Sequence, residues 1–142
     1  MPSDLNDEFA RIGLVAFDVD GTLSETEETH RRAFNRAFQG AGLVWHWDRP
    51  LYNKLLAVTG GKERIRYFIE SFDAPDVPAV DLDDFIPSLH AKKTGAYTEM
   101  VSSGEVELRP GIRALIKDAR AKGLRLAIAT TTTPANVDAL LA

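Results

Sequence analysis

Two short apolar runs separated by a long helical stretch constrain this chain more than any other feature. Ile12 to Phe17 reads Ile-Gly-Leu-Val-Ala-Phe, nearly continuous rather than alternating, and is broken by Asp18 and then Gly21. That pattern predicts a parallel strand buried on both faces. The second run, Leu124 to Thr130, follows a segment in which Ile112, Leu115, Ile116 and Ala119 fall at i, i+3, i+4 and i+7. Pro110 near its start and Gly123 just past its end bracket that helix. Strand, crossover, helix and strand require a parallel pair. A last helix should open at Thr133-Pro134 and carry Val137, Leu140 and Leu141 on one face.

From about Ser24 to Glu107 no strand pattern appears, and the stretch reads as a helical insertion. Helices are expected from about Glu25 to Gln39, Pro50 to Val58, Lys62 to Phe72 and Leu82 to Ser102, divided by Gly40, Gly60-Gly61 and the Pro75 to Pro78 loop. The expected division is therefore a partial α/β core (1–23 and 108–142) with a helical cap (24–107). An unpaired edge on the first strand would favour self-association, swapping or partner binding. Core folds of this kind normally carry five or six strands, so the chain is expected to correspond to about half of a longer protein.

Composition removes several functions. The chain has 142 residues, a net charge of −4 and no cysteine, which excludes disulfides, thiolate catalysis and cysteine-held metal. Acidic balance argues against nucleic acid. No apolar window is long enough to span a bilayer, and Met1-Pro2-Ser3-Asp4 lacks a basic signal-peptide region, so a cytoplasmic protein without membrane contact is expected. His30, His46 and His90 show no metal-ligand spacing, and there is no Gly-x-Ser-x-Gly elbow. Trp45-His46-Trp47 would suit base stacking, but two tryptophans in an acidic helical insertion are expected to pack between helices.

The chemistry concentrates in Phe17-Asp18-Val19-Asp20-Gly21-Thr22-Leu23. Ligands of parallel sheets bind beyond the carboxyl ends of the strands, where Asp18 and Thr130 stand. Two close carboxylates repel, and Mg²⁺ relieves that repulsion because carboxylate oxygens and water are its preferred ligands. A carboxylate can also attack a phosphoryl group and split one displacement into two easier steps. Asp18 suits the nucleophile, Asp20 the proton donor and acceptor. A polar turn is the plain alternative for an isolated Asp-x-Asp-Gly. Thr130 can hold a phosphoryl group at the mouth of the following helix, while Thr131 stays open between that role and a share in the cap.

This string, together with Thr59-Gly60-Gly61-Lys62-Glu63-Arg64, Leu108-Arg109-Pro110-Gly111 and Ala127-Ile128-Ala129-Thr130-Thr131-Thr132, resembles the haloacid dehalogenase superfamily and, within it, the CbbY-type sugar-phosphate phosphatases. The resemblance implies a Rossmann-like core with an inserted cap. It also implies a small phosphorylated sugar such as xylulose-1,5-bisphosphate as substrate. Asp18 would be nucleophile and Mg²⁺ ligand, Asp20 the general acid and base with its backbone carbonyl on the metal, and Thr130 the second-motif hydroxyl. It favours Glu27, His30 and Lys93 as substrate contacts.

From the residues alone, Glu27 equally closes a Ser24-x-x-Glu27 capping box, and His30 equally reads as a packed interface histidine. Gly60, Gly61, Lys62 and Arg64 form a turn and basic helix start that can receive phosphate or serve only as a solvated face. The resemblance also calls for a later lysine and acidic motif, and Lys117 and Lys122 precede Thr130 and do not supply them. A phosphomutase that returns the phosphoryl group to the sugar, or a catalytically silent binding module, are the competing readings.

Overall fold

A computed structural model describes residues 12–142, so the reading of Met1-Pro2-Ser3-Asp4 and the first part of the expected core segment lie outside the described residues. Two strands and six helices follow in the order β1 (Leu14–Phe17), α1 (Glu27–Gly40), α2 (Arg49–Leu55), α3 (Gly61–Ser71), α4 (Leu82–Ser102), α5 (Ile112–Ala121), β2 (Arg125–Ile128) and α6 (Pro134–Leu141). They divide into a strand unit, residues 12–25 with Leu108–Thr130, and a helical unit, Thr26–Glu107 with Thr131–Ala142.

In the strand unit β1 and β2 pair in parallel, in the register Leu14↔Arg125 to Phe17↔Ile128. Both are shorter than the apolar runs suggest, although single bonds extend the ladder, from Arg125 N–H to Gly13 O at 3.1 Å and from Ala129 N–H to Phe17 O at 2.8 Å. The expectation of a strand buried on both faces is corrected. Phe17 is buried, but Leu14 remains 47% exposed and Ile12 and Ile128 are also exposed. The physical reason is the number of layers: α5 packs on this pair through Ala119, and among the described residues β1 has only β2 as a strand neighbour.

After β1 the chain makes one tight turn. The N–H groups of Thr22, Leu23 and Ser24 all point at the Val19 carbonyl, at 3.1, 2.9 and 3.4 Å, and Gly21 N–H returns to Ser24 O at 2.8 Å. Gly21 has φ +76°, a conformation that costs L side chains strain. Val19 and Leu23 are buried beneath the turn, Asp18 is exposed and Asp20 half-buried.

The helical unit has an aromatic core. Phe34 and Phe38 on α1 meet Trp45, Trp47, Tyr52 and Phe68, with Ile65, Ile86 and Leu89 closing the cluster. Trp47 is drawn in by its backbone as well as its ring. Asn35 accepts from Trp47 N–H (2.8 Å) and donates to Trp47 O (2.9 Å), and Arg31 donates to the same carbonyl (2.7 Å). Glu28 accepts from Arg31 in turn, and that bond, with help from Arg49, holds its carboxyl down at about 2. The tryptophans thus pack between helices, as expected.

Helix starts follow their caps. Asp48 accepts from Leu51 N–H, Asp81 from Asp83 N–H and Thr133 from Asn136 N–H. The first helix begins at Glu27 with Thr26 at its cap position, two residues later than the expected start at Glu25. Ser24 bridges to Leu108, where the chain returns to the strand unit. The expected division also placed 108–142 together, whereas α6 packs through Ala139 and Leu140 against Tyr97, Met100 and Val101 and joins the helical unit.

The two tryptophans give a test of this core. Trp45 Nε1 donates to the Pro75 carbonyl, whereas Trp47 Nε1 is buried without an acceptor. Trp45→Phe is expected to cost about 1 kcal/mol more than Trp47→Phe, the net worth of one hydrogen bond. Urea denaturation checks it; equal losses would mean that the Trp45 bond contributes nothing.

Candidate active site

The strand pairing positions the first group of residues. Asp18 directly follows Phe17, whose register partner is Ile128, and Thr130 stands two residues past Ile128. Adjacent strands lie about 4.8 Å apart, so both residues emerge at the same carboxyl end of the pair. Asp18 is exposed, and its Oδ1 accepts the Val19 N–H at 2.8 Å, which orients the carboxylate. Asp20 and Thr130 are half-buried.

Among the described residues no group of three or more His, Asp or Glu side chains forms a metal cluster. The candidate donors are the Asp18 carboxylate and the Asp20 backbone carbonyl; completed by water, they would fit Mg²⁺, which is usually held by one or two carboxylates and keeps much of its hydration.

In the helical unit α1 and α4 bring His30 and Lys93 together. Lys93 is only 4% exposed; its ammonium lies 2.8 Å from His30 Nδ1 and 5.0 and 5.1 Å from the ring centroids of Phe34 and Tyr97. An ammonium only donates, so His30 Nδ1 accepts and its proton resides on Nε2. The His30 ring stacks on Tyr97 at 4.1 Å, 9° from parallel. Lys92, one residue earlier, is exposed.

His90, on the same face of α4 as Lys93 and Tyr97, presses on the start of α3. A Cβ on Gly61 would come within 2.2 Å of its Nε2, so Gly61 is the residue that lets this ring approach. Burial, followed by the charges of Lys93 and Lys62, pushes His90 down from 6.5 to about 4; Glu63 opposes and His30 adds to the shift.

A second chain of contacts runs from α3. Arg64 donates to the carbonyls of Leu55 (3.2 Å) and Val58 (3.1 Å) and to the Tyr52 hydroxyl (3.3 Å), and Tyr52 donates to the Glu27 carboxylate (3.2 Å). Arg64 is therefore engaged in closing the loop after α2. Gly60, at φ +94°, has the Glu63 carboxylate folded over its α-carbon, while Lys62 and Thr131 are exposed.

Sequence reasoning gave no site role to Tyr52, His90, Tyr97 or Arg109. The signal for two of them was present: His90, Lys93 and Tyr97 sit at i, i+3 and i+7 of one helix face.

A parallel pair with an aspartate motif after its first strand, a threonine after its second and a helical unit inserted between them defines the class. Residues 12–142 match the haloacid dehalogenase-like hydrolases, and the chain belongs to that family. Within it, the chain is 54% identical over 125 residues to the plasmid-encoded protein CbbY of Cupriavidus necator, which covers 88% of this chain and 49% of that protein. The crystal structure of CbbY from Rhodobacter sphaeroides in complex with phosphate superposes with a TM-score of 0.82 at 48% identity, covering 91% of this chain and 55% of that one. A mutant of the same protein, in complex with xylulose-(1,5)bisphosphate, matches at 47% identity and the same TM-score, with the same coverage of both chains. The chain spans about half the length of the relatives it matches. Among the described residues no helix is long and apolar enough to cross a membrane.

His90 supplies a test of the helical unit. In the unfolded chain it takes up a proton near 6.5 and in the folded chain near 4, so the unfolded state binds more protons between those values. Stability should be full above that window and decline as pH falls through it. His90→Gln should flatten the pH dependence of the melting temperature there; identical slopes in both proteins would show that His90 is not held neutral.

Proposed function

We propose that the chain carries the nucleophile and the substrate-facing helical unit of a Mg²⁺-dependent phosphatase. Its substrate is a small sugar phosphate, with xylulose-1,5-bisphosphate the favoured one. The observation that carries this reading is the exposed Asp18 carboxylate at the end of β1, with Thr130 past the end of the strand paired to it. Asp18 attacks the phosphoryl group in line and becomes an aspartyl phosphate. Asp20 protonates the departing sugar oxygen and then takes a proton from the attacking water. Thr130 donates its hydroxyl to the phosphoryl oxygens. When bound to Asp18 and Asp20, Mg²⁺ supplies neutralisation of the phosphoryl charge.

The sugar-bisphosphate preference is supported by the relative crystallised with xylulose-(1,5)bisphosphate and by the basic groups of the helical unit. We assign Glu27, His30, Gly60, Gly61, Lys62, Lys93 and Thr131 to the substrate side. Lys93 with His30 forms a preformed cationic element, and exposed Lys62 suits a second phosphate. Arg64 contributes by holding Tyr52 and, through it, Glu27.

Hydrolysis of p-nitrophenyl phosphate with Mg²⁺ tests the chemistry. Asp18→Asn is expected to abolish release, and Asp20→Asn to slow it by about a hundredfold or more. Release that persists undiminished in Asp18→Asn overturns the mechanism, and a wild-type chain silent toward every phosphate ester favours the binding-module reading. Free phosphate as product separates hydrolysis from an isomerised sugar phosphate, the signature of a mutase. With bisphosphate and monophosphate sugars compared, Lys62→Ala should weaken the preference for the bisphosphate by roughly tenfold, the equivalent of one charge-assisted contact. An unchanged ratio removes Lys62 from the second-phosphate site.

A further inference from the structure

Three contacts of Arg109 go to the loop that follows Asp18, while its carbonyl accepts from Ile112 N–H at 3.1 Å. Its backbone N–H donates to Leu23 O at 2.8 Å, its Nη1 to Gly21 O at 2.7 Å, and its Nε lies 3.3 Å from the Glu25 carboxylate. The Ser24↔Leu108 bridge brings it there, so a residue 88 positions away from Gly21 is fastened to the turn carrying Asp20.

The turn needs such a fastening. Three of its N–H groups share one acceptor, the Val19 carbonyl, and a carbonyl has two lone pairs. The peptide joining Asp20 to Gly21 is held on one side, where Gly21 N–H meets Ser24 O. The next peptide is held where Gly21 O meets Arg109. Together these pin the backbone on both sides of Gly21, at its positive φ, and so set where the Asp20 side chain leaves the turn.

The ion pair with Glu25 is exposed at both ends and adds little attraction; the hydrogen bond to the Gly21 carbonyl, also exposed, is the side-chain contact that fixes a backbone atom of the turn. The guanidinium has separate donors for Gly21 and for Glu25; a lysine has one ammonium for both.

We propose that Arg109 is a positioning residue for the Asp20 carboxylate, acting through Gly21. The inference rests on the assignment of Asp20 as acid and base.

Two readouts on the full chain test it. Amide hydrogen exchange at Gly21 to Ser24 is expected to be roughly tenfold faster in Arg109→Ala, with exchange in β2 and α1 and the melting temperature unchanged. Arg109→Lys should fall between the two. With p-nitrophenyl phosphate, kcat should fall roughly tenfold to hundredfold while KM stays within about twofold, and the acid-base limb of the kcat pH profile should shift. Exchange that is unchanged, or faster everywhere with a lower melting temperature, overturns the positioning role, as does a wild-type kcat and pH profile in Arg109→Ala. If the wild-type chain hydrolyses nothing, the assignment of Asp20 fails by itself, and exchange alone decides whether Arg109 holds the turn.

Discussion

The parallel pairing of β1 with β2 is the constraint on which the catalytic reading of this chain depends. Four register pairs end at Phe17↔Ile128, and the two chain segments that leave this end carry Asp18 and Thr130. A one-residue slip would reverse the side of the sheet to which each side chain points and separate carboxylate from hydroxyl. The strands are short, so the turn after β1 matters as much as the ladder. Its buried Val19 and Leu23 anchor it from below, and Arg109 reaches it from the returning chain.

The helical unit solves a different problem, that of keeping cations in a largely aromatic interior. Lys93 is buried between the faces of Phe34 and Tyr97, with His30 accepting one of its protons. Aromatic faces attract an ammonium through their negative π-faces, and the imidazole accepts one of its protons. His90 nearby is held neutral by burial and by the same cations.

The strand unit, by contrast, leaves apolar surface uncovered. Leu14, Ile12 and Ile128 are exposed although their residue types suit a sheet interior, and the chain spans about half the length of its CbbY relatives. The exposure explains why a strand that reads as buried on both faces is buried at Phe17 and not along its length. Local pattern reports what a residue is suited to, while burial depends on which other layers are present.

Much of the fold was legible from local chemistry. Both strands and the helical insertion follow from apolar period, and the last helix start follows from the Thr133-Pro134 pair, whose threonine accepts an amide hydrogen. The position of the aspartate motif was also legible, because its carboxylates follow a strand at the end where ligands of parallel sheets bind. Contacts between residues distant in the chain were not. Ser24 bridges to Leu108, α6 packs on α4, and Arg64 donates to the Leu55 and Val58 carbonyls. None of these choices is encoded by spacing, since each depends on which partner is near enough to bury or bond a group after the chain has folded. The sequence by itself determined the kinds of chemistry the chain could hold; tertiary structure decided which donors remained for a ligand and which were spent on the fold.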